Sequence, residues 1–225
     1  MRREASTLPE ADESRGRALG DIVELSWALA PRHLSLDLDA DRFFPDAATV
    51  ELGGQAVKVL APHDQLLALA VHGGKHLWER LGWITDIAQL MASTPDLDVD
   101  RALARARSVG AERLLLVAPA LAEQVLGADV PPGLAAAIGR DPAVPSLVER
   151  LVNRLLPLDK RHSDRALDPL TLRLRERARD RATIVARLAI TPTVEDWQWA
   201  RLPEPSSFAY PLVRPFRLAK KYLFS

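Results

Sequence analysis

Residues 48–67 contain a change from strand to helix that decides the fold: Ala48-Thr-Val-Glu-Leu-Gly-Gly-Gln-Ala-Val-Lys-Val-Leu-Ala-Pro-His-Asp-Gln-Leu-Leu67. Gly53 and Gly54 separate two segments in which apolar and polar side chains alternate, as in β-strands. Both glycines can adopt the positive φ that tight hairpin turns require. Beyond them, Pro62 and Asp64 stand where a helix start favours them, ahead of helically spaced apolar residues. We therefore predict a β-hairpin that leads directly into a helix.

A third strand is predicted upstream of the hairpin. Residues Asp21-Ile-Val-Glu-Leu-Ser-Trp27 alternate so that Val23, Leu25 and Trp27 share one face. With the hairpin, this segment is predicted to form one small antiparallel sheet of three strands over residues 21–60. The fold class expected is α+β, because the remainder of the chain follows helical patterns.

The helical patterns also predict the domain organisation. Residues 1–18 are polar and charged and are expected to form a disordered tail. The sheet then occupies residues 19–61, and a helical domain that ends in a C-terminal amphipathic helix occupies residues 62–225. Gly, Pro and Asp signals separate its predicted helices, which after the first two lie at about 99–108, 111–126, 131–139, 144–156 and 168–189.

Composition excludes several classes of function. Lys plus Arg and Asp plus Glu both number 30, so the net charge is zero and no nucleic-acid partner is expected. The absence of cysteine excludes disulfides, thiolate metal sites and thiol catalysis. No apolar run is long enough for a transmembrane segment, and the first residues contain no apolar core of a secretory signal. We expect a cytoplasmic protein, and the usage of Ala, Leu, Arg and Asp suggests a bacterial one.

The segment His72-Gly-Gly-Lys-His76 places two imidazoles one helical turn apart, where both could hold a metal ion. A zinc-protease helix needs glutamate at the position of Gly73, so that class of enzyme is excluded. Asp86 could complete a metal site if the chain bends after this helix; structural hydrogen bonding is the alternative. Gly73 and Gly74 together cost the helix about 2 kcal/mol relative to alanine. Such a cost predicts a close approach by another backbone or a ligand, or a break between two helices.

Trp78, Arg80 and Trp83 follow the two histidines immediately. Tryptophan and arginine beside histidines could stack on a nucleobase or bind a phosphate. The alternative is that both indoles fill the core between two helices while Arg80 pairs with an acid. The residues alone leave both interpretations open.

Two acidic features are candidate metal ligands. Asp37, Asp39 and Asp41 are spaced by one residue and could share a divalent cation, but Asp39 or Asp41 is better explained as the cap of a short helical turn that we expect Pro45 to close. Glu24 lies between apolar neighbours on the predicted first strand. It could be a metal ligand or could face water from an edge strand.

Several segments together resemble the uncharacterised nucleotidyltransferase family of the DNA polymerase β-like superfamily. They are Val23-Glu-Leu-Ser-Trp27, Val59-Leu-Ala-Pro-His-Asp-Gln-Leu-Leu67, His72-Gly-Gly-Lys-His-Leu-Trp-Glu-Arg-Leu-Gly-Trp-Ile-Thr-Asp-Ile-Ala-Gln-Leu-Met91, Leu202-Pro203 and Val213-Arg-Pro-Phe-Arg-Leu218. The resemblance covers about residues 20–224, which correspond to the rear portion of a typical member.

The resemblance implies a two-metal chemistry. Family members carry a Gly-Ser turn and an Asp-x-Asp pair that holds Mg²⁺ on the nucleoside triphosphate, and a third acid on a later strand. Glu24 matches the third acid, although Ser26 stands where the family has histidine. The 23 residues before Glu24 contain neither the turn nor the aspartate pair. We therefore expect a truncated or degenerate nucleotidyltransferase-like protein, inactive alone, that keeps nucleotide-binding residues: His72, Lys75, His76, Trp78, Arg80 and Asp86.

The alternative function is that of a non-catalytic protein-binding or adaptor module. An exposed sheet edge would pair readily with a partner protein or with a second copy in a homodimer. Basic and aromatic residues in the last stretch, from Arg214 to Phe224, could also contact a membrane surface, although a docked C-terminal helix explains them better.

Overall fold

The structure of the chain is a computed structural model that describes residues 36, 38, 43–155, 168–191, 194–200, 213, 214, 216 and 217. A 3-10 turn at Phe44–Asp46 comes first, followed by strands β1 (Ala48–Leu52) and β2 (Gln55–Val59). The helices are α1 (Pro62–Lys75), α2 (Leu81–Ser93), α3 (Val99–Val109), α4 (Glu112–Leu126), α5 (Pro132–Ile138), α6 (Val144–Leu155), α7 (Pro169–Arg173), α8 (Ala178–Ile190) and α9 (Val194–Trp199).

The architecture of the described residues is α+β, with a two-stranded antiparallel sheet and a predominantly helical remainder. The third strand predicted at 21–27, the tail at 1–18 and most of the predicted C-terminal helix lie outside the described residues. None of the described helices is both long and apolar enough to cross a membrane. The cytoplasmic location stays a prediction.

The hairpin follows the sequence prediction. Ala48 pairs with Val59 and Leu52 with Gln55, so Gly53 and Gly54 form a two-residue turn at φ values of 59° and 78°. Every side chain of the two strands is exposed. The register places the apolar side chains on one face, which we call the apolar hairpin face: Ala48, Val50, Leu52, Val57 and Val59.

Helix α4 is the centre of the helical part. It contacts α1, α2, α3, α5 and α6, and all residues from Leu114 to Ala122 are buried. A helix surrounded by other helices is apolar on all sides, and the sequence of α4 has this property over its middle turns. Pro119 lies within this buried stretch. The core therefore forms around one helix, and the hairpin lies outside it.

Local end signals position the helices around α4. The Asp98 carboxylate accepts a hydrogen bond from the Arg101 amide at the start of α3. Gly110 ends α3 in the left-handed conformation, at φ 67°. A Cβ at Gly110 would lie 2.6 Å from Asp180 Oδ2, so glycine also allows α8 to approach.

The single helix predicted at about 168–189 was wrong, because the chain breaks between α7 and α8. Leu174 is buried at this break, and the buried Arg175 donates to Asp180 Oδ2 at 2.9 Å. Glu176 accepts from the first amides of α4, those of Glu112 and Arg113, at 3.2 and 3.4 Å. The Glu176 contacts reach residues 64 and 63 positions away, and the backbone is extended at Arg177. Helical spacing in the sequence does not reveal such long-range contacts.

The short turn near Phe43 also differs in detail from its prediction. It was expected to close at Pro45, but the 3-10 turn runs from Phe44 through Pro45 to Asp46. Proline is compatible with early positions of such a turn because its fixed φ suits the helical region. The extension brings the Asp46 carboxylate to the N-terminal end of the helical part.

Candidate functional site

The connection between α1 and α2 is a sharp corner made by two bulky residues. Leu77 and Trp78 have φ values of 53° and 49°, in the left-handed region that costs an ordinary residue about 1–2 kcal/mol. Both side chains are fully buried, so core packing offsets that cost. The corner ends at Arg80, whose backbone is extended and leads into α2.

Close packing of side chains explains the two glycines near the end of α1. A Cβ at Gly73 would lie 2.2 Å from Trp78 Nε1, and a Cβ at Gly74 would lie 2.3 Å from Leu114 Cδ2. At the corner, the indole of Trp78 packs against α1 at Gly73. Leu114 of α4 packs against the next residue, Gly74. The predicted approach by another backbone or a ligand is replaced by core side chains, whereas the alternative, a break between two helices, is confirmed, since α1 ends at Lys75 directly after the glycines.

Four side chains gather on the outer side of the corner, and we call them the α1–α2 cluster: His72, His76, Arg80 and Trp83. The His76 ring stacks on Trp83 with a centroid distance of 4.8 Å and an interplanar angle of 20°. His72 meets the same indole edge-on at 5.4 Å, and the two imidazole centroids are also 5.4 Å apart. The Arg80 guanidinium carbon lies 5.5 Å from the Trp83 centroid, within cation–π range.

The remaining predicted site residues lie in different environments. Trp78 belongs to the core and has no exposed surface, so its ring is shielded from ligands in this arrangement. Lys75 is half-buried at the end of α1, and Asp86 is exposed on α2. Glu24 lies outside the described residues. Of the two tryptophans, only Trp83 is partly accessible beside the histidines.

The structure does not join His72, His76 and Asp86 into a three-ligand metal site. Within the described ranges, the group of His, Asp or Glu side chains whose ligand atoms approach one another closely enough is a different one, Asp46 with His63 and Asp64. The i, i+4 histidine spacing on α1 produced contacts with Trp83 and between the imidazoles.

This second group forms a charged network that the sequence did not reveal. Arg105 of α3 donates from Nε to Asp64 Oδ1 and from Nη2 to Asp46 Oδ2, each at 3.1 Å. Arg101 Nη2 lies 2.5 Å from the other oxygen of Asp46. We call these four residues with His63 the Arg105 network. It connects the turn before the hairpin to α1 and α3, and no local pattern could have predicted it because its partners are 41 and 59 residues apart.

Comparison with known proteins identifies one family. A family model described as "Uncharacterised nucleotidyltransferase" matches residues 6–127, more than half of the chain. No curated protein and no solved structure matches the chain. The match includes the hairpin, helices α1–α4, the α1–α2 cluster and the Arg105 network.

The described residues do not fit the pair of Mg²⁺ ions that the resemblance implies. Mg²⁺ prefers an octahedral shell of oxygen atoms. Asp46 and Asp64 are the acids of the one close ligand group in the described part of the chain, and arginines already bind both carboxylates. The third member of that group is an imidazole.

Proposed function

The chain belongs to the uncharacterised nucleotidyltransferase family, and from this premise we propose that it binds a nucleotide at the α1–α2 cluster without transferring it unaided. The observation that carries the proposal is the stack of His76, Trp83 and Arg80 at the corner. A planar aromatic ring with a guanidinium and imidazoles beside it suits both parts of a nucleotide, the base and the phosphates.

The surroundings of the cluster support a binding site. Leu77 and Trp78 are buried and fix the backbone of the corner, so Arg80 and Trp83 extend from a rigid backbone. Arg80 is exposed and the rings of His72, His76 and Trp83 are half-buried, which leaves them in reach of a ligand. Lys75 precedes His76 in α1, but it lines a small cavity with Leu114 and Arg175 and does not belong to the cluster.

The proposed lack of transfer rests on the acids that the chemistry requires. Two divalent ions need several carboxylate oxygens, and each missing ligand removes a large electrostatic contribution from the transition state. Both carboxylates of the Arg105 network are engaged by arginines. We therefore propose that transfer depends on acids outside the residues that the structure describes.

Calorimetric titration with MgATP tests the proposed binding. We expect the unaltered chain to release heat on saturation, and His76→Ala or Arg80→Ala to weaken binding at least about tenfold, since each removes a charged or stacking contact. Arg181→Ala changes an exposed arginine of α8 and is the matched control, with binding unchanged.

Two results would contradict this proposal. If millimolar MgATP releases no heat with the folded protein, the nucleotide-binding function is wrong. If MgATP is bound but radiolabelled nucleotide is transferred to an acceptor by the chain alone, the proposed inactivity is wrong. Circular dichroism of each variant shows whether its fold is retained.

A second candidate function, a protein-binding module, is favoured by the apolar hairpin face. Leu52 is 70% exposed, and Val50, Val57 and Val59 are between 37% and 42% exposed. A row of exposed β-branched and leucine side chains on two strands is typical of an interaction surface. We propose a partner protein or a second copy of the chain as its occupant.

Light scattering coupled to size exclusion tests the second-copy form of this candidate. If the hairpin mediates a homodimer, Leu52→Lys on the apolar hairpin face is expected to raise the dimer dissociation constant by at least about tenfold, because a charge would replace a buried apolar contact. Thr49→Lys, on the opposite face of the same strand, should leave the mass unchanged. A monomeric unaltered chain, or equal effects of both variants, would contradict the homodimer.

A further inference from the structure

We propose that Asp46, His63 and Asp64 form a binding site for a divalent transition-metal ion such as Zn²⁺. One ligand atom of each residue lies within 4.8 Å of the other two. The site is at the junction of the 3-10 turn with the first turn of α1, and it shares no residue with the α1–α2 cluster. It is therefore independent of the proposed nucleotide binding.

Two buried polar atoms in this group lack hydrogen-bond partners. His63 Nε2 and Asp64 Oδ2 lie 3.6 Å apart, and neither has a hydrogen-bond partner. His63 is 6% exposed and Asp64 is 0% exposed, so solvent does not supply a partner either. The separation is too long for a hydrogen bond between them. Buried polar atoms in folded proteins are nearly always satisfied, and these two face each other.

The separation suits a bridging metal ion. Zinc binds imidazole nitrogen and carboxylate oxygen at about 2.0–2.2 Å, and at tetrahedral to trigonal angles such a pair of donors lies about 3.4–3.7 Å apart. The observed 3.6 Å falls in this range. Asp46 is the third ligand, and because Arg101 and Arg105 bind its two oxygens, it reaches the ion by exchanging one of these ion pairs for the metal. The mixed nitrogen and oxygen donors favour zinc over magnesium.

The arginines have two opposite effects on the site. Arg105 binds one oxygen of each carboxylate and so orients Asp64 with its other oxygen, Oδ2, toward His63. Such outer hydrogen bonds commonly fix the ligands of metal sites. Arg101 and Arg105 also bring two positive charges close to the bound ion. We therefore expect micromolar binding, weaker than that of a structural zinc site.

Zinc titration of the full chain tests the site. The protein is stripped with EDTA, desalted and titrated with ZnCl₂ by calorimetry; Co²⁺ is added separately to record the visible absorption of a tetrahedral site. We expect one zinc per chain and a rise in Tm of a few degrees at saturation. Asp64→Asn and His63→Gln keep the side-chain sizes and are expected to weaken zinc binding at least about tenfold.

The control removes the other histidine pair of α1. A chain with both His72→Ala and His76→Ala should bind zinc as the unaltered chain does. If zinc binding is lost in this control and kept in Asp64→Asn, the ion is held by the α1–α2 cluster and the proposal is wrong. It is also wrong if no saturable binding occurs. Should the two buried-site variants unfold, Asp46→Asn at the least buried of the three ligands replaces them, with the same expected loss.

Discussion

Replacing Gly73 with alanine is expected to lower the free energy of unfolding by about 3 kcal/mol. The added methyl group would lie 2.2 Å from Trp78 Nε1 and 2.5 Å from its Cδ1. The indole has no room to withdraw because it is fully buried and its backbone is already left-handed. Urea denaturation followed by circular dichroism measures the change.

Gly82→Ala is the matched control for this prediction. Gly82 is also a helical glycine, but a Cβ there would meet no atom within 4 Å. Alanine should therefore act only through helix propensity and raise the free energy of unfolding by about 0.5–1 kcal/mol. Equal effects at the two glycines, or a stabilised Gly73→Ala protein, would show that Trp78 does not pack against α1 as described.

Replacing Arg105 with alanine is the second change with a large expected effect, a loss of about 3 kcal/mol of stability. The substitution removes the hydrogen bonds to Asp64 Oδ1 and Asp46 Oδ2 together. Asp64 would remain as a fully buried carboxylate without its cation, and removing one partner of a buried pair costs more than the pair contributes. Denaturant unfolding at neutral pH checks the value.

Arg101→Ala provides the comparison on the same helix. Arg101 contacts the same carboxylate, that of Asp46, but its side chain is 50% exposed against 22% for Arg105. Solvent screens its ion pair, so the expected loss is below about 1 kcal/mol. If Arg101→Ala and Arg105→Ala lower the free energy of unfolding by the same amount, the burial of Asp64 does not determine the energetics of the network.

The sequence predicted the features that depend on neighbouring residues. The turn at Gly53-Gly54 and the start of α1 at Pro62 were predicted correctly, because glycine conformation and proline geometry act locally. The sequence motifs also indicated the family whose model matches residues 6–127. Of the two interpretations of the tryptophans, stacking on a nucleobase stays a prediction, whereas Trp78 fills the core as the alternative expected.

Features that depend on distant residues were not predictable. Helical spacing runs through the break near Leu174, and only the packing of Arg175 and Glu176 against other elements reveals it. The left-handed corner at Leu77 contains no glycine or asparagine, the residues from which such a conformation is usually predicted. Asp64 lies in the first turn of α1 as predicted, but the bond between its carboxylate and Arg105 of α3 was not predictable.

The left-handed corner limits how this protein can diverge. Leu77 and Trp78 hold an unfavourable backbone in place by filling the interior, so a substitution that loosens either one would also shift Trp83 relative to His76. On the proposed nucleotide binding, mutational drift in the interior is thereby coupled to ligand preference. Arg80 is different, since its exposed side chain can change without disturbing the corner. Under the same proposal, substitutions at Arg80 would alter ligand recognition at little cost to folding.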